Sequence, residues 1–231
     1  MDTILKSSKI NNAGAVQFFV GKPFDASQKD FSKFEHEYDL RKIVAPVQKH
    51  TANVAVVTDE NINAVFENTD GLITDMTRVG LGAITADCQS VVIVDPVKKV
   101  IANLHSGWRG TMQGIVEIGV KKMIEEFGSR PQDFVVYFAP CIHTECFEVD
   151  EDLANEFGEK FGNKYVEKSM KLGKYLVDTV QINVDVLTGF GVLRDNIEID
   201  SNCTKCEADK FHSYRADGTA ARNLSVVALA E

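Results

Sequence analysis

The strongest constraint in this sequence is the stretch from Thr85 to Gly110, TADCQSVVIVDPVKKVIANLHSGWRG. Two short β-branched runs, Ser90 to Val94 and Val100 to Leu104, flank Asp95-Pro96, a pair that breaks a strand as a hairpin turn does. With a four-residue loop from Asp95 to Lys98, Val94 faces Lys99, Val92 faces Ile101 and Ser90 faces Asn103. One further step brings Cys88 opposite His105, and directly opposed residues have Cβ atoms about 4.5–5.5 Å apart. A sulfur and an imidazole that close can share one metal ion, because Zn–S is about 2.3 Å and Zn–N about 2.0–2.1 Å. The register therefore predicts half a metal site at the open end of a hairpin, with the remaining ligands supplied from elsewhere.

Composition narrows the partners. The 231 residues suit one large domain or two small ones, and 44% hydrophobic with 26% charged residues is the balance of an ordinary globular protein. A net charge of -9 without any dense Lys/Arg cluster argues against nucleic acid as the main partner, while leaving room for a small anion held by one or two arginines. Five cysteines are an odd number in a chain long enough to build a core, so a disulfide framework is not expected. Met1 leads directly into polar sequence, with no secretory leader pattern, and no apolar run reaches the length of a membrane span. A reducing, cytoplasmic setting is the expectation, where thiols serve as ligands, nucleophiles or buried residues.

Along the chain, Val16 to Val20, Val54 to Thr58, Leu72 to Thr74, Val79 to Thr85, Phe134 to Ala139, Tyr175 to Asp178, Ile197 to Ile199 and Asn223 to Ala230 read as strands. Met112, Ile115, Val116, Gly119, Met123, Ile124 and Phe127 mark one helix face ended by Gly128, and Asp150 to Phe161 and Val180 to Phe190 are further helices. Strands and helices mix without strict alternation around a central hairpin, so the expected class is α+β, one unit over residues 1–231 with a mixed sheet flanked by helices. The charged stretch up to Asp39 carries no clear pattern.

Several segments carry a resemblance. TADC and HSGWRG resemble the TADC and HAGWRG signatures of a family once described as polyphenol oxidases or laccase-domain proteins, now described as zinc-dependent purine nucleoside phosphorylases with adenosine deaminase side activity. Gln48-Lys49-His50 resembles the family's Gln-x-His. Ala139-Pro140-Cys141-Ile142 with Phe147-Glu148-Val149, and His212-Ser213-Tyr214-Arg215 with Arg222, are similar to its later segments. Five matches in order make the resemblance specific from about His50 onward, whereas residues 1–45 diverge and lack the family's N-terminal Arg and Asn-Leu signatures. The chain also has Gln89 where the family usually has proline, and Ala221 where it has a glycine.

A catalytic zinc needs three protein ligands and an open position. Cys88 and His105 are two by register, and the resemblance implies His50 as the third. Of the remaining histidines, His143 and His212 lie in matching motifs and are expected near the site, while His36 is expected to face solvent. Arg109, following Gly107-Trp108 at a strand-to-helix junction, suits phosphate, since a guanidinium offers bidentate donors. By resemblance Arg215 and Arg222 approach the same cleft; the alternative for each is a structural salt bridge. Asp87, beside Cys88, is the candidate proton carrier for deamination, or equally a turn residue. Trp108 is a purine wall or a core residue. Cys203-x-x-Cys206 is a lone CxxC, half of a structural zinc site or a redox pair. No second CxxC accompanies it, and Cys141 with Cys146 has the wrong spacing, so a separate metal cluster is not expected.

The resemblance thus implies phosphorolysis of a purine nucleoside to base and ribose 1-phosphate, with phosphate and nucleoside as substrates and zinc as cofactor. Deamination of adenosine by a metal-activated water is a variant. A metal-free Cys88–His105 hydrolase uses the same residues, and an inactive binding protein of the same fold is a further alternative. One thiolate and two imidazoles resemble a blue-copper ligand set, but a multicopper oxidase needs far more histidines than five.

Overall fold

A computed structural model of the chain describes residues 1–230. The fold is α+β and rests on two sheets packed face to face. One has six strands in the spatial order β13 (Ile197–Ile199), β9 (Val135–Phe138), β7 (Gln89–Asp95), β8 (Val100–Ser106), β5 (Gly71–Thr74) and β4 (Val54–Val56). The other has five, in the order β1 (Ile4–Leu5), β2 (Ala15–Val20), β14 (Asn223–Leu229), β6 (Val79–Thr85) and β3 (Lys42–Val44). Parallel pairs β3–β6, β4–β5 and β9–β13 lie at or near the edges of otherwise antiparallel sheets.

Alternate residues of the central hairpin take opposite faces, as strand geometry requires. Val92, Val94 and Ile101 pack between the sheets against Phe19, Leu81 and Val227. Val91, Ile93, Ala102 and Leu104 pack outward beneath helices α4 (Ile115–Phe127) and α6 (Thr179–Gly189). Covering both faces explains why SVVIV is a continuous apolar run rather than an alternating one. A third, small sheet of β10 (Glu148–Asp150), β12 (Lys174–Val177) and β11 (Val166–Lys168) packs with α5 (Glu151–Phe161).

Two sequence expectations change. The hairpin loop runs from Pro96 to Lys99, because Asp95 remains paired with Val100 while its carboxylate accepts the amides of Val97 and Lys98, each at 2.9 Å. His105 is therefore opposite Ser90, and Cys88 precedes the paired strand at the level of Gly107. The slip amounts to two residues, an even number, so every side chain keeps its face. Secondly, the helix expected through Met112 is broken: α3 (Trp108–Gln113) ends at Gly114, whose φ of +79° turns the chain before α4. The patternless N-terminal region supplies α1 (Ser8–Asn12), a 3-10 turn at Ala26–Gln28 and α2 (Ser32–Glu37), which buries Phe34 against the outer face of the five-stranded sheet.

Asn103 fastens the sheets together. Its side-chain amide donates to the carbonyls of Leu81 (2.9 Å) and Ser225 (3.1 Å) and accepts from Ser90 Oγ at 2.7 Å, all buried. Leaving such groups unmet costs about 1–3 kcal/mol. Asn103→Ala is expected to lower the unfolding free energy by about 2 kcal/mol in urea titrations; an unchanged midpoint would show that the amide contributes nothing.

Candidate functional site

At the open end of the hairpin, His50, Cys88 and His105 bring their ligand atoms within 4.8 Å of one another. Cys88 Sγ is 3.9 Å from His50 Nε2, and the two imidazole rings stand edge to face at 5.1 Å. Cys88 and His105 point to the same side of their sheet, as the even slip guarantees. His50 arrives from the loop between β3 and β4, where its φ of +59° turns the side chain inward.

Two residues hold that loop. Gln48 spans to β6 with its side-chain amide, donating to Ile84 O and accepting from Ile84 N, both at 2.8 Å. Asp70, which immediately precedes β5, is buried and accepts the amides of Lys49 (3.1 Å), His50 (2.9 Å) and Thr51 (2.8 Å) and the Thr51 hydroxyl (2.8 Å). The same carboxylate lies 2.9 Å from His105 Nδ1. A proton on Nδ1 fixes the tautomer and leaves Nε2 as the coordinating nitrogen, the usual arrangement behind a metal-binding histidine. Burial pushes the Asp70 carboxyl up, but the bonds from His105, Thr51 and Lys49 outweigh it and hold the group well below the usual carboxylate range.

Gly107 is the other residue whose role was hidden in the sequence. A Cβ there would stand 2.8 Å from Cys88 Sγ and 3.0 Å from His50 Cδ2, so only glycine leaves the triad its space. Below the site, Gln89 donates to Thr179 Oγ1 and accepts from Asn183, each at 2.8 Å, while Asn183 also reaches Ser106 (3.2 Å) and Thr111 (3.3 Å). This buried network ties β7, β8, α3 and α6 into one base.

Electrostatics couple the triad. Burial pushes the Cys88 thiol up, but the His105 and His50 imidazoles outweigh it and draw it down to about 6. Burial pushes His105 down, while the Cys88 sulfur and Asp70 outweigh that and raise it to about 9. Without a metal the two form a thiolate–imidazolium pair. The donor set of one thiolate and two imidazoles, with a glycine cradle and a carboxylate behind one histidine, fits a zinc ion.

The triad opens into a cleft of about 680 Å³, within the range of small-molecule sites. Arg109, Arg215 and Arg222 all line it. The Arg109 guanidinium stacks on Trp108 at 4.2 Å, Arg215 Nη1 donates to the carbonyls of Cys146 (3.3 Å) and Glu148 (2.8 Å), and Arg222 Nη1 donates to those of Thr219 (2.8 Å) and Ala221 (2.9 Å). Among the described residues none of the three guanidiniums forms an ion pair with a carboxylate. Asp87 also lines the cleft, with one carboxylate oxygen accepting from Thr204 Oγ1 and the other from the Arg215 amide, each at 2.7 Å. It thereby fixes α7 (Tyr214–Asp217). The N-terminal region contributes Ser27 and Lys29 to the wall. His212, which bonds to Phe24 O at 2.8 Å, and His143 are not among the cleft residues, and His36 is exposed.

With this geometry in hand, likeness to known proteins carries weight. The family model described as multi-copper polyphenol oxidoreductase laccase matches residues 17–230. A purine nucleoside phosphorylase of Borreliella burgdorferi is 32% identical over 201 residues, 85% of this chain and 85% of that one. Adenosine deaminase RL5, from an unknown prokaryotic organism, is 31% identical over 189 residues, 78% of this chain and 72% of its own length. The crystal structure of YfiH from Bacillus licheniformis superposes with a TM-score of 0.88 at 25% identity, covering 98% of this chain and 96% of that one.

Two outcomes follow from the triad. Gly107→Ala should abolish stoichiometric zinc binding while leaving the circular-dichroism spectrum intact, because the added methyl displaces Cys88 or His50; zinc content at the wild-type level would refute the cradle. In chelator-treated protein, alkylation of Cys88 should reach half its maximal rate near pH 6, well below the roughly 8.5 of an ordinary thiol. Zinc should suppress the reaction, and a midpoint near that of a free thiol would remove the thiolate–imidazolium pair.

Proposed function

Because this chain belongs to the family described as multi-copper polyphenol oxidoreductase laccase, whose similar members include proteins named purine nucleoside phosphorylase and adenosine deaminase, we propose that it is a zinc-dependent purine nucleoside phosphorylase. Residues 1–231 act as one catalytic unit in this reading. The observation that carries it is the triad of His50, Cys88 and His105 opening onto a cleft lined by three arginines whose guanidiniums, among the described residues, form no ion pair with a carboxylate.

His50 Nε2, Cys88 Sγ and His105 would hold the zinc, with Asp70 orienting His105. The ion supplies Lewis acidity toward an oxygen of phosphate or of the nucleoside. Arg109 has its guanidinium free above Trp108, and Arg215 and Arg222 each keep donors beyond those spent on backbone carbonyls. Together they bind phosphate and orient one oxygen toward C1′ of the nucleoside, which converts a bimolecular encounter into a positioned attack. Ile84, Ile142, Phe147 and Tyr214 offer the apolar wall that a purine requires. The C1′–N bond breaks as the phosphate oxygen bonds to C1′, giving base and ribose 1-phosphate. Asp87 positions Arg215 through its amide, and with both oxygens accepting bonds it serves that task better than proton transfer.

Copper oxidation of phenols is disfavoured by the donor count. Beyond the triad only His36, His143 and His212 remain, and none lines the cleft. A second reading deserves one test because Cys88 and His105 are within reach of each other: a metal-free cysteine hydrolase. It requires Cys88 to be alkylated readily in protein as purified, whereas the zinc enzyme requires protection.

Incubating zinc-loaded protein with adenosine or inosine should release base and ribose 1-phosphate only when phosphate is present. Ammonia released without phosphate would select deamination instead, and no turnover in either condition would sink the enzymatic reading. Arg222→Ala should raise the KM for phosphate by about 10–100-fold, the loss of charge-assisted bonds worth roughly 1.5–3 kcal/mol, with the KM for nucleoside little changed.

A further inference from the structure

A second group of sulfurs lies behind the cleft wall. Cys146, at the end of the 3-10 turn Thr144–Cys146, meets both cysteines of the lone CxxC, and the sulfurs of Cys146, Cys203 and Cys206 all lie within 4.8 Å of one another. Cys146 and Cys206 approach to 3.3 Å. Two sulfurs on one tetrahedral ion stand about 3.8 Å apart when Zn–S is about 2.3 Å, so the trio needs only a small adjustment to share a metal.

The backbone supports this arrangement. Cys141 and Cys203 form an isolated parallel bridge, and the Thr204 amide donates to Cys141 O at 3.0 Å, which pins the CxxC turn to the segment before Cys146. Cys203 Sγ accepts a backbone N–H bond from His143 at 3.5 Å. Amides aimed at a sulfur favour its negative charge. A disulfide would use two of these sulfurs and leave the third without a task; convergence of all three distinguishes a ligand set from a redox pair. Nε2 of His143, the residue before the 3-10 turn, is buried without a hydrogen-bond partner.

We propose that Cys146, Cys203 and Cys206 form a structural binding site for a thiophilic divalent cation of the zinc type, separate from the triad of His50, Cys88 and His105. Such an ion braces the cleft. Cys146 directly precedes Phe147, Ile142 packs on Cys146 and Cys203, and Arg215 donates to Cys146 O, so three cleft residues lean on this cluster. Thr204, inside the CxxC, bonds to Asp87 beside Cys88.

Zinc per chain, measured on full-length protein purified with reductant, tests this directly. Wild type should hold two equivalents, the double variant His50→Ala/His105→Ala one, and Cys203→Ser/Cys206→Ser one. Should the cysteine variant fail to fold, cobalt loading of the histidine variant decides. It should keep most of the sulfur-to-cobalt charge-transfer absorbance, because three of the four thiolates belong to this site. A single equivalent in wild type that the histidine variant loses entirely overturns the proposal. So does peptide mapping that finds Cys146 joined to Cys206 as a disulfide in the reduced preparation.

Discussion

The candidate site depends on one buried carboxylate. Asp70 is almost wholly withdrawn from solvent, and an ion in that position is tolerated only when its lone pairs are fully used. Here they are: three consecutive amides and a hydroxyl from residues 49–51 and the imidazole of His105 converge on it. The consequence reaches further than local stability. His50 and His105 come from a loop and a strand end, and one carboxylate that belongs to neither binds the amide of the first and the imidazole of the second. The His105 amide also donates to Asp70 O at 2.7 Å, so backbone and side chain of one residue fix the same partner.

How much of this was readable before folding follows from how local each feature is. The hairpin was legible because both strands and their turn lie within one short stretch, and its two-residue slip was harmless because strand faces repeat every second residue. The slip itself came from Asp95, whose side chain makes the turn begin one residue later than its Asp-Pro signature suggests. His50 had no pattern of its own and entered only through the likeness of Gln48-Lys49-His50 to a family motif. Asp70 sits in Asn68-Thr69-Asp70-Gly71, which reads as a solvated turn until the loop before β4 is folded over it. Gly107 looked like a helix boundary, which it is, since it caps α3. Its second role needs the register and the third ligand together. The cysteine trio was missed for a similar reason: Cys146 lies 60 residues from Cys206, outside any recognisable ligand spacing.

Where the chain departs from its family it compensates in kind. Gln89, at a position the family usually gives to proline, fills both ends of its amide with Thr179 and Asn183 in a buried chain of hydrogen bonds. Proline would need no such partners, and it would leave Asn183 with fewer acceptors. The N-terminal region also shapes the cleft: Asp25 accepts the amides of Ser27 and Arg222, so the segment that carries Ser27 and Lys29 also holds the last arginine of the cleft.

The distribution of charge finally bears on what the cleft can admit. The chain as a whole carries -9, yet its cleft gathers three guanidiniums that, among the described residues, form no ion pair with a carboxylate. Charges beyond a Debye length, about 8–10 Å, are largely screened, so the acidic exterior barely weakens attraction inside the cleft. A compact anion such as phosphate samples only the local cationic field. Small size is therefore favoured along with negative charge, which is what the proposed phosphate substrate requires.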